Sequence, residues 1–337
     1  MNEARRQAFL KRLAYDLAAA HSAALVVLGD RLGLYRALAD GALTPSELAR
    51  RTGTHERYVR EWLRNQTIGG YVEQHGEGFA LSDEQALALA SEGALAFAVP
   101  AFQLAAGLCG ALDAAEESFR TGAGLDPARY PSDVRQGIAR GCAAMAGSRL
   151  VEDWIPADVS AQLERGAAAV DLGCGRGGTV LALARAFPRA HVLGLDVDEP
   201  ALAEARLAAA GLGDRVRFEA ASVEALTDRW ELVTCIDTLH DLPDPLAAAR
   251  AIRTALSPTG CALIIEPTAT GRPEVFARLL SAISTLYCVP IARAGGGQGQ
   301  GALGNEEELT GLLSRAGFGR VAVRERLPLH AVIEARP

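Results

Sequence analysis

The residues best placed to do chemistry open with the run A-A-A-V-D-L-G-C-G-R-G-G-T-V, residues 167–180. A short strand ends at Asp171, a glycine turn follows, and a helix opens near Gly178. Gly173, Gly175 and Gly178 satisfy G-x-G-x-x-G. Glycines in such a turn let the backbone approach a ligand with no Cβ in the way. A second strand, His191–Leu195, ends at Asp196, where a strand-end carboxylate takes ribose hydroxyls. The pattern predicts a ligand with a nucleoside part, although the glycine spacing alone fits a dinucleotide equally well.

Three features separate the possible ligands. Asp171, just ahead of the first glycine, would repel a pyrophosphate and suits a cationic ligand. S-adenosylmethionine carries a sulfonium and an ammonium and no phosphate. The loop also lies mid-chain, behind a helical region, and no dehydrogenase proton donor is found. Finally, the chain closes with two expected strands, Arg320–Arg326 and Ala331–Ala335, split by Pro328. A terminal hairpin antiparallel to the rest marks a methyltransferase sheet. S-adenosylmethionine is therefore the expected cofactor, ahead of a nicotinamide dinucleotide.

Methyl transfer is an in-line displacement at an already activated carbon, so positioning is the main demand. A general base helps only where the accepting atom carries a proton that must leave. Among six histidines, His55, His75 and His191 read as structural. His240 follows the expected strand Leu232–Ile236, where ligands of open α/β sheets gather, and Asp241 comes next. His240 with Asp241 is the expected catalytic pair; the alternative is that His240 only ties down its own loop. Tyr287 and His330 are expected walls of the acceptor site, or else ordinary packing. No metal is expected, because His240 and Asp241 lack a second histidine nearby; the distant His21 and His330 stay open as ligands.

The elements that must position these groups fall into two regions. With 337 residues, 49% hydrophobic and 22% charged, the chain can bury a real core and suits two domains. Residues 3–40 read as helix, with Phe9, Leu13 and Leu17 and then Leu25, Leu28 and Leu32 at helical spacing. Thr44, Pro45 and Glu47 open a capped helix, and another from Thr54 carries Tyr58 and Trp62 on one face. Strands are expected at Tyr71–Gln74 and Phe79–Leu81, then a helix capped by Ser82 and Gln85. That order is a winged helix-turn-helix. From Thr44 to Leu81 five arginines face five glutamates, so nucleic acid is not an expected partner. Residues 95–160 read as apolar helix broken at Thr121–Asp133, a connector that also roofs the site. From Ala167 onward β-branched runs alternate with helices, which is an α/β sheet.

Other counts narrow the class. Lys11 is the only lysine, and it lies in none of the contexts that a P-loop, a pyridoxal enzyme or a Tyr-x-x-x-Lys dehydrogenase requires. Charges or glycines interrupt every apolar run, so no membrane span is expected. The start M-N-E-A-R-R-Q-A-F-L-K-R has no signal-peptide core. Six scattered cysteines without a C-x-x-C pair predict reduced thiols and a cytosolic protein. The Leu13/Leu17 and Leu25/Leu28/Leu32 stripes predict a homodimer.

At this point the chain resembles a known family. D-L-G-C-G-R-G (171–177), G-L-D-V-D (194–198), T-L-H-D-L-P-D-P (238–245) and L-S-P-T-G-C-A-L-I-I-E-P (256–267) look like successive motifs of class I methyltransferases. L-G-D-R-L-G-L-Y (28–35), T-P-S-E-L-A-R-R-T-G (44–53) and R-Y-V-R-E-W-L (57–63) look like their winged-helix subgroup, which includes many small-molecule O- and C-methyltransferases of secondary metabolism. The resemblance implies a winged-helix and dimerisation domain over 1–95, a helical connector and substrate lid over 96–160, and a Rossmann-like sheet of seven strands over 161–337. Asp171, Gly173 and Gly175 would surround the methionine part and Asp196 the ribose. Ser222 stands where relatives often place an aspartate facing the adenine amine. Asp237 would line the methyl-donor pocket. The segment Tyr287–Glu308, where plant-type relatives carry their base histidine, contains none, and its glycines 295–301 read as a lid or a surface loop. The rival readings are a ligand-sensing transcription regulator, a nicotinamide-dependent oxidoreductase, and a protein that binds S-adenosylmethionine for other chemistry.

Overall fold

A computed structural model describes residues 1–227, 229–269, 271–302 and 304–337. The chain divides into two compact units, Met1–Gly110 with Pro131–Ala144, and Ala111–Tyr130 with Met145–Pro337. The segment 96–160 is thus shared between them rather than standing alone.

The first unit begins with α1 (Glu3–Arg31) and α2 (Leu34–Ala39). The helix expected over residues 3–40 breaks because Gly33 takes a left-handed φ of 71° as the cap of α2. Then come α3 (Pro45–Thr52), α4 (Glu56–Ile68), β1 (Glu73–His75), β2 (Gly78–Ala80), α5 (Asp83–Leu89) and α6 (Val99–Cys109). Thr44 and Glu47 close a capping box on α3, and Ser82 with Gln85 closes another on α5. The first hairpin strand starts later and is shorter than expected, and the second keeps its length but starts one residue earlier, because Gly76 turns at φ 63° and His75 pairs with Gly78. The core gathers Leu34, Tyr35, Leu38, Leu48, Val59 and Trp62. On α1 only Val26, Val27, Gly29 and Asp30 are buried, whereas Phe9 and Leu17 are each 60% exposed. After α7 (Leu112–Thr121), which belongs to the second unit, the chain returns through α8 (Ser132–Met145). There Arg140 joins Asp30, Glu92 and Gln103.

The second unit holds α9 (Ala157–Glu164), β3 (Ala168–Leu172), α10 (Gly178–Ala186), β4 (His191–Asp196), α11 (Glu199–Ala208) and β5 (Val216–Ala220). It continues with β6 (Trp230–Ile236), α12 (Pro245–Ala255), β7 (Leu256–Pro267), α13 (Glu274–Ile283) and α14 (Val289–Ala294). It ends with α15 (Glu306–Arg315), β8 (Arg320–Arg326) and β9 (His330–Arg336). Its seven strands run in the order β5-β4-β3-β6-β7-β9-β8. All neighbouring pairs are parallel up to β7, and β9 is antiparallel to both β7 and β8. This is the α/β sheet with a terminal antiparallel hairpin that the sequence predicts. Strands buried on both faces read as continuous apolar runs, as C-A-L-I-I (261–265) does. The chain order reverses between β3 and β6, so the carboxyl ends of those strands flank the crevice where such sheets bind ligands.

One expectation needs correction. Glu3–Arg31 and Glu274–Ala294 are each long and apolar enough to cross a membrane by length and composition. Only 22% and 28% of their most apolar windows are buried. A mostly buried core helix and a signal sequence near the N-terminus pass the same test by length and composition.

Candidate active site

The carboxyl end of β3 makes the first half of the site. Asp171 is 3% exposed and accepts a hydrogen bond from Thr234 Oγ1 on β6 at 2.7 Å and another from Thr179. Burial pushes its carboxyl up to about 7, and the nearby Asp196 adds to the effect. The loop beyond it carries three left-handed glycines, Gly173, Gly175 and, as the cap of α10, Gly177. At Gly173 (φ 68°) an added Cβ would lie 2.3 Å from Thr238 Oγ1, so this glycine lets the loops after β3 and β6 touch. At Gly175 (φ 50°) an added Cβ would meet nothing within 4 Å. That cradle is open to a ligand.

Asp196, at the end of β4, clasps the loop. Its Oδ2 accepts the Gly175 N–H at 2.7 Å and its Oδ1 the Asp198 N–H at 2.9 Å. Cys174 N–H donates to the Leu195 carbonyl at 3.0 Å, and Ala221 N–H to the Asp196 carbonyl at 3.0 Å. The second bond brings Ser222 beside Asp196. Ser222 is exposed and its side chain makes no cap hydrogen bond. Asp171, Gly173, Gly175, Asp196 and Ser222 therefore border one crevice.

The second half lies at the ends of β6 and β7. Asp237 is the one described non-glycine residue with positive φ, at 50°, a conformation that usually costs energy and marks a constrained site. Its carboxylate meets His330 Nε2 at 2.8 Å. Burial works against charge on His330, but Asp237 outweighs it and raises the ring's pKa. Next along the chain, Thr238, Leu239 and His240 donate their backbone N–H groups to Glu266 at 3.0, 2.8 and 3.2 Å. The Glu266 carboxylate, 2% exposed, also takes His240 Nδ1 at 2.5 Å. His240 Nε2 lies 3.2 Å from Asp241 Oδ1. Burial opposes a charge on His240, yet Asp241 and Glu266 together hold its pKa well above the usual value. Burial also lifts the Asp241 carboxyl to about 7, although His240 pulls it down.

A single π-helical turn, Ser284–Cys288, joins α13 to α14. Such turns are frequent at functional sites because they redirect side chains. Here the turn brings Tyr287 and Cys288 to the site. Tyr287 stacks edge-on against Tyr130, 5.2 Å between ring centres, and its hydroxyl feels the charges of both Asp241 and Asp196. Tyr130 donates to the Leu286 carbonyl at 2.8 Å, and Leu125 N–H to the Pro290 carbonyl at 2.9 Å. The segment 111–130 thus covers α14 and the π turn. An adjoining cavity of about 380 Å³ is lined by His240, Glu266, Thr268, Gln300, Asn305 and Glu308. A larger one, about 600 Å³, belongs to the N-terminal unit and carries none of these groups.

Glu266 and Cys288 are the site groups that the sequence reading passed over. Glu266 carried one signal, a lone carboxylate closing an apolar strand; Cys288 carried none.

Residues 170–262 match the family model described as a methyltransferase domain, and residues 20–91 match an Rv2258c-like winged HTH domain. A ubiquinone biosynthesis O-methyltransferase of Aeromonas salmonicida is 33% identical over 147 residues, 42% of this chain and 58% of the relative. One from Idiomarina loihiensis is 37% identical over 95 residues, 27% of this chain and 38% of the relative. The chain spans about half the length of the curated relatives it matches. Over the full length of both chains, the mitomycin 7-O-methyltransferase MmcR is 25% identical with a TM-score of 0.63. Human N-acetylserotonin methyltransferase, solved with S-adenosylmethionine, is 18% identical with a TM-score of 0.65 over 100% of this chain and 99% of its own, a likeness of fold.

Proposed function

We propose that this chain, a winged-helix region joined to a class I methyltransferase domain, transfers a methyl group from S-adenosylmethionine to oxygen or activated carbon of a small organic acceptor. The observation that carries the reading is the Asp196–Gly175 clasp beneath an open backbone cradle. In this reading Asp196 holds the ribose hydroxyls and Ser222 the adenine. The buried Asp171, its carboxyl pushed up to about 7, gains its negative charge below the loop as pH rises past neutrality, and that charge favours a cationic ligand and disfavours a pyrophosphate. When bound, S-adenosylmethionine supplies an electrophilic methyl carbon on a sulfonium.

The chain's own part is to position the acceptor and exclude water. We assign that role to His240, whose Nδ1 is held by Glu266 and whose Nε2 turns to Asp241. Tyr287 and His330 supply walls, and the Tyr130 side adds a roof. O-methylation is favoured by the names of the matched relatives.

A homodimer through α1 follows from its exposed Phe9, Leu13 and Leu17. The six cysteines are free of disulfides, which supports a reducing compartment such as the cytosol. On α4, Arg57 pairs with Glu61 and Arg60 with Glu56, an arrangement that favours docking over nucleic-acid binding.

The test is transfer of label from methyl-labelled S-adenosylmethionine to a panel of phenols, hydroxyquinones and activated-carbon acceptors. Label in an acceptor from the wild type, and at least about tenfold less with Asp196→Ala, is expected. Acceptor-independent label, or none in any member, counts against the reading.

A further inference from the structure

We propose that His240, Asp241 and Cys288 form a site for one divalent transition-metal ion of the zinc type. The inference does not depend on methyl transfer. One ligand atom from each residue, a ring nitrogen, a carboxylate oxygen and a thiol sulfur, lies within 4.8 Å of the other two. A nitrogen, oxygen and sulfur set suits zinc and its neighbours, whereas magnesium and calcium ask for oxygen alone.

The distance between the first two ligands is the telling one. His240 Nε2 and Asp241 Oδ1 stand 3.2 Å apart, yet Asp241 Oδ1 is shut off from solvent and makes no hydrogen bond. An ion pair alone leaves that buried oxygen short of a hydrogen bond, which is costly. Two donors each bound at about 2.0–2.2 Å to one tetrahedral ion are themselves roughly 3.3 Å apart. The pair therefore sits at ligand–ligand separation while its angles fail as a hydrogen bond.

A second observation is independent of the first. The other ring nitrogen, Nδ1, is fixed by Glu266, which three backbone N–H groups hold in turn. A carboxylate behind the imidazole is the usual support of a metal-bound histidine, because it sets the ring's orientation and strengthens the ligand. Cys288 is buried on the π turn, its thiol sulfur beside both His240 and Asp241. Three protein ligands leave one position for water or for an oxygen of a bound molecule, as catalytic zinc sites do.

The full chain, freed of metal with a chelator, is titrated with Co²⁺ and then with Zn²⁺. The proposal expects one equivalent per chain, a thiolate-to-cobalt charge-transfer band, and the strong visible bands of a four-coordinate ion. Zn²⁺ should bleach both. Cys288→Ser should abolish the charge-transfer band and weaken Zn²⁺ binding by about a hundredfold or more, while Cys109→Ser, at an exposed thiol, leaves both unchanged. Glu266→Gln should weaken Zn²⁺ binding by about 10- to 100-fold. Circular dichroism is recorded beside each titration. If Cys288→Ser does not fold, Asp241→Asn decides, keeping the thiolate band but changing the visible spectrum and weakening Zn²⁺ binding by about tenfold or more. No cobalt band in the wild type, a band that persists in folded Cys288→Ser, or an Asp241→Asn spectrum identical to the wild type would overturn the site.

Discussion

Glu266 holds His240 twice, taking its Nδ1 at 2.5 Å and its backbone N–H at 3.2 Å across 26 positions of sequence. The loop after β6 is thereby built around a carboxylate from the end of β7. Glu266→Ala leaves three buried amides and an imidazole without their acceptor. The expected loss is about 3 kcal/mol or more, read as a lower denaturant midpoint. An alanine variant within about 1 kcal/mol of the wild type would show that Glu266 does not organise the loop.

Asp171 makes ligand-free stability depend on pH. Its carboxyl ionises near 3.8 when unfolded and near 7 when folded. Between those values the folded chain holds a proton that the unfolded chain has released. Stability from this group is therefore full below about pH 4 and is lost as pH rises to about 7, a change on the order of 4 kcal/mol. Asp171→Asn should remove that slope and be the more stable protein above neutrality. Conversely, a cationic ligand that needs the carboxylate should bind more tightly as pH rises from 6 to 8, and Asp171→Asn should flatten that rise. Thermal melts and calorimetric titrations across pH check both; equal slopes in the two proteins would contradict them.

Gly173 and Gly175 should fail differently when changed to alanine. Both sit at positive φ, which costs about 1–2 kcal/mol for any other residue. Gly173→Ala adds a clash with Thr238 and should lose stability well beyond that. Gly175→Ala meets open space, so it should keep most of its stability and lose cofactor affinity instead. Melting curves beside S-adenosylhomocysteine titrations distinguish them. Unchanged affinity in Gly175→Ala would mean that the cradle is not where the ligand lies.

Light scattering at micromolar concentration should give twice the 35.3 kDa chain mass. Replacing Phe9, Leu13 and Leu17 together by glutamine should shift it toward the single-chain value. A monomeric wild type would remove the dimer, and a fully dimeric triple variant would move the interface away from α1.

What was legible in the sequence is mostly what local rules decide. The Thr44–Glu47 and Ser82–Gln85 capping boxes, the strands ending at Asp196 and Ala220, and the closing hairpin are written in neighbouring residues. The glycine turn was legible for the same reason, since backbone that must leave room for a ligand spells itself in glycine. The Gly33 break and the shift of the β1–β2 hairpin were not, because a helical stripe runs past Gly33 and one-residue register is settled by pairing. Partners brought together by the fold were the least legible. His240 stands out in the sequence together with its neighbour Asp241, but its contacts with Glu266 and Cys288 join the ends of β6, β7 and the π turn. The Asp237–His330 pair likewise spans 93 positions and exists only through the β7–β9 pairing. No periodicity or spacing rule reaches that far.

The central claim is that the crevice above Gly175 and Asp196 takes S-adenosylmethionine. One calorimetric comparison of S-adenosylmethionine, S-adenosylhomocysteine and NAD on the wild type and Asp196→Ala tests it most directly. The account predicts saturable one-per-chain binding of the first two and none of NAD. It also predicts a loss of about ten- to hundredfold in affinity with Asp196→Ala, roughly one charge-assisted hydrogen bond. Binding of NAD in place of S-adenosylmethionine, or an Asp196→Ala variant that binds as tightly as the wild type, would contradict it.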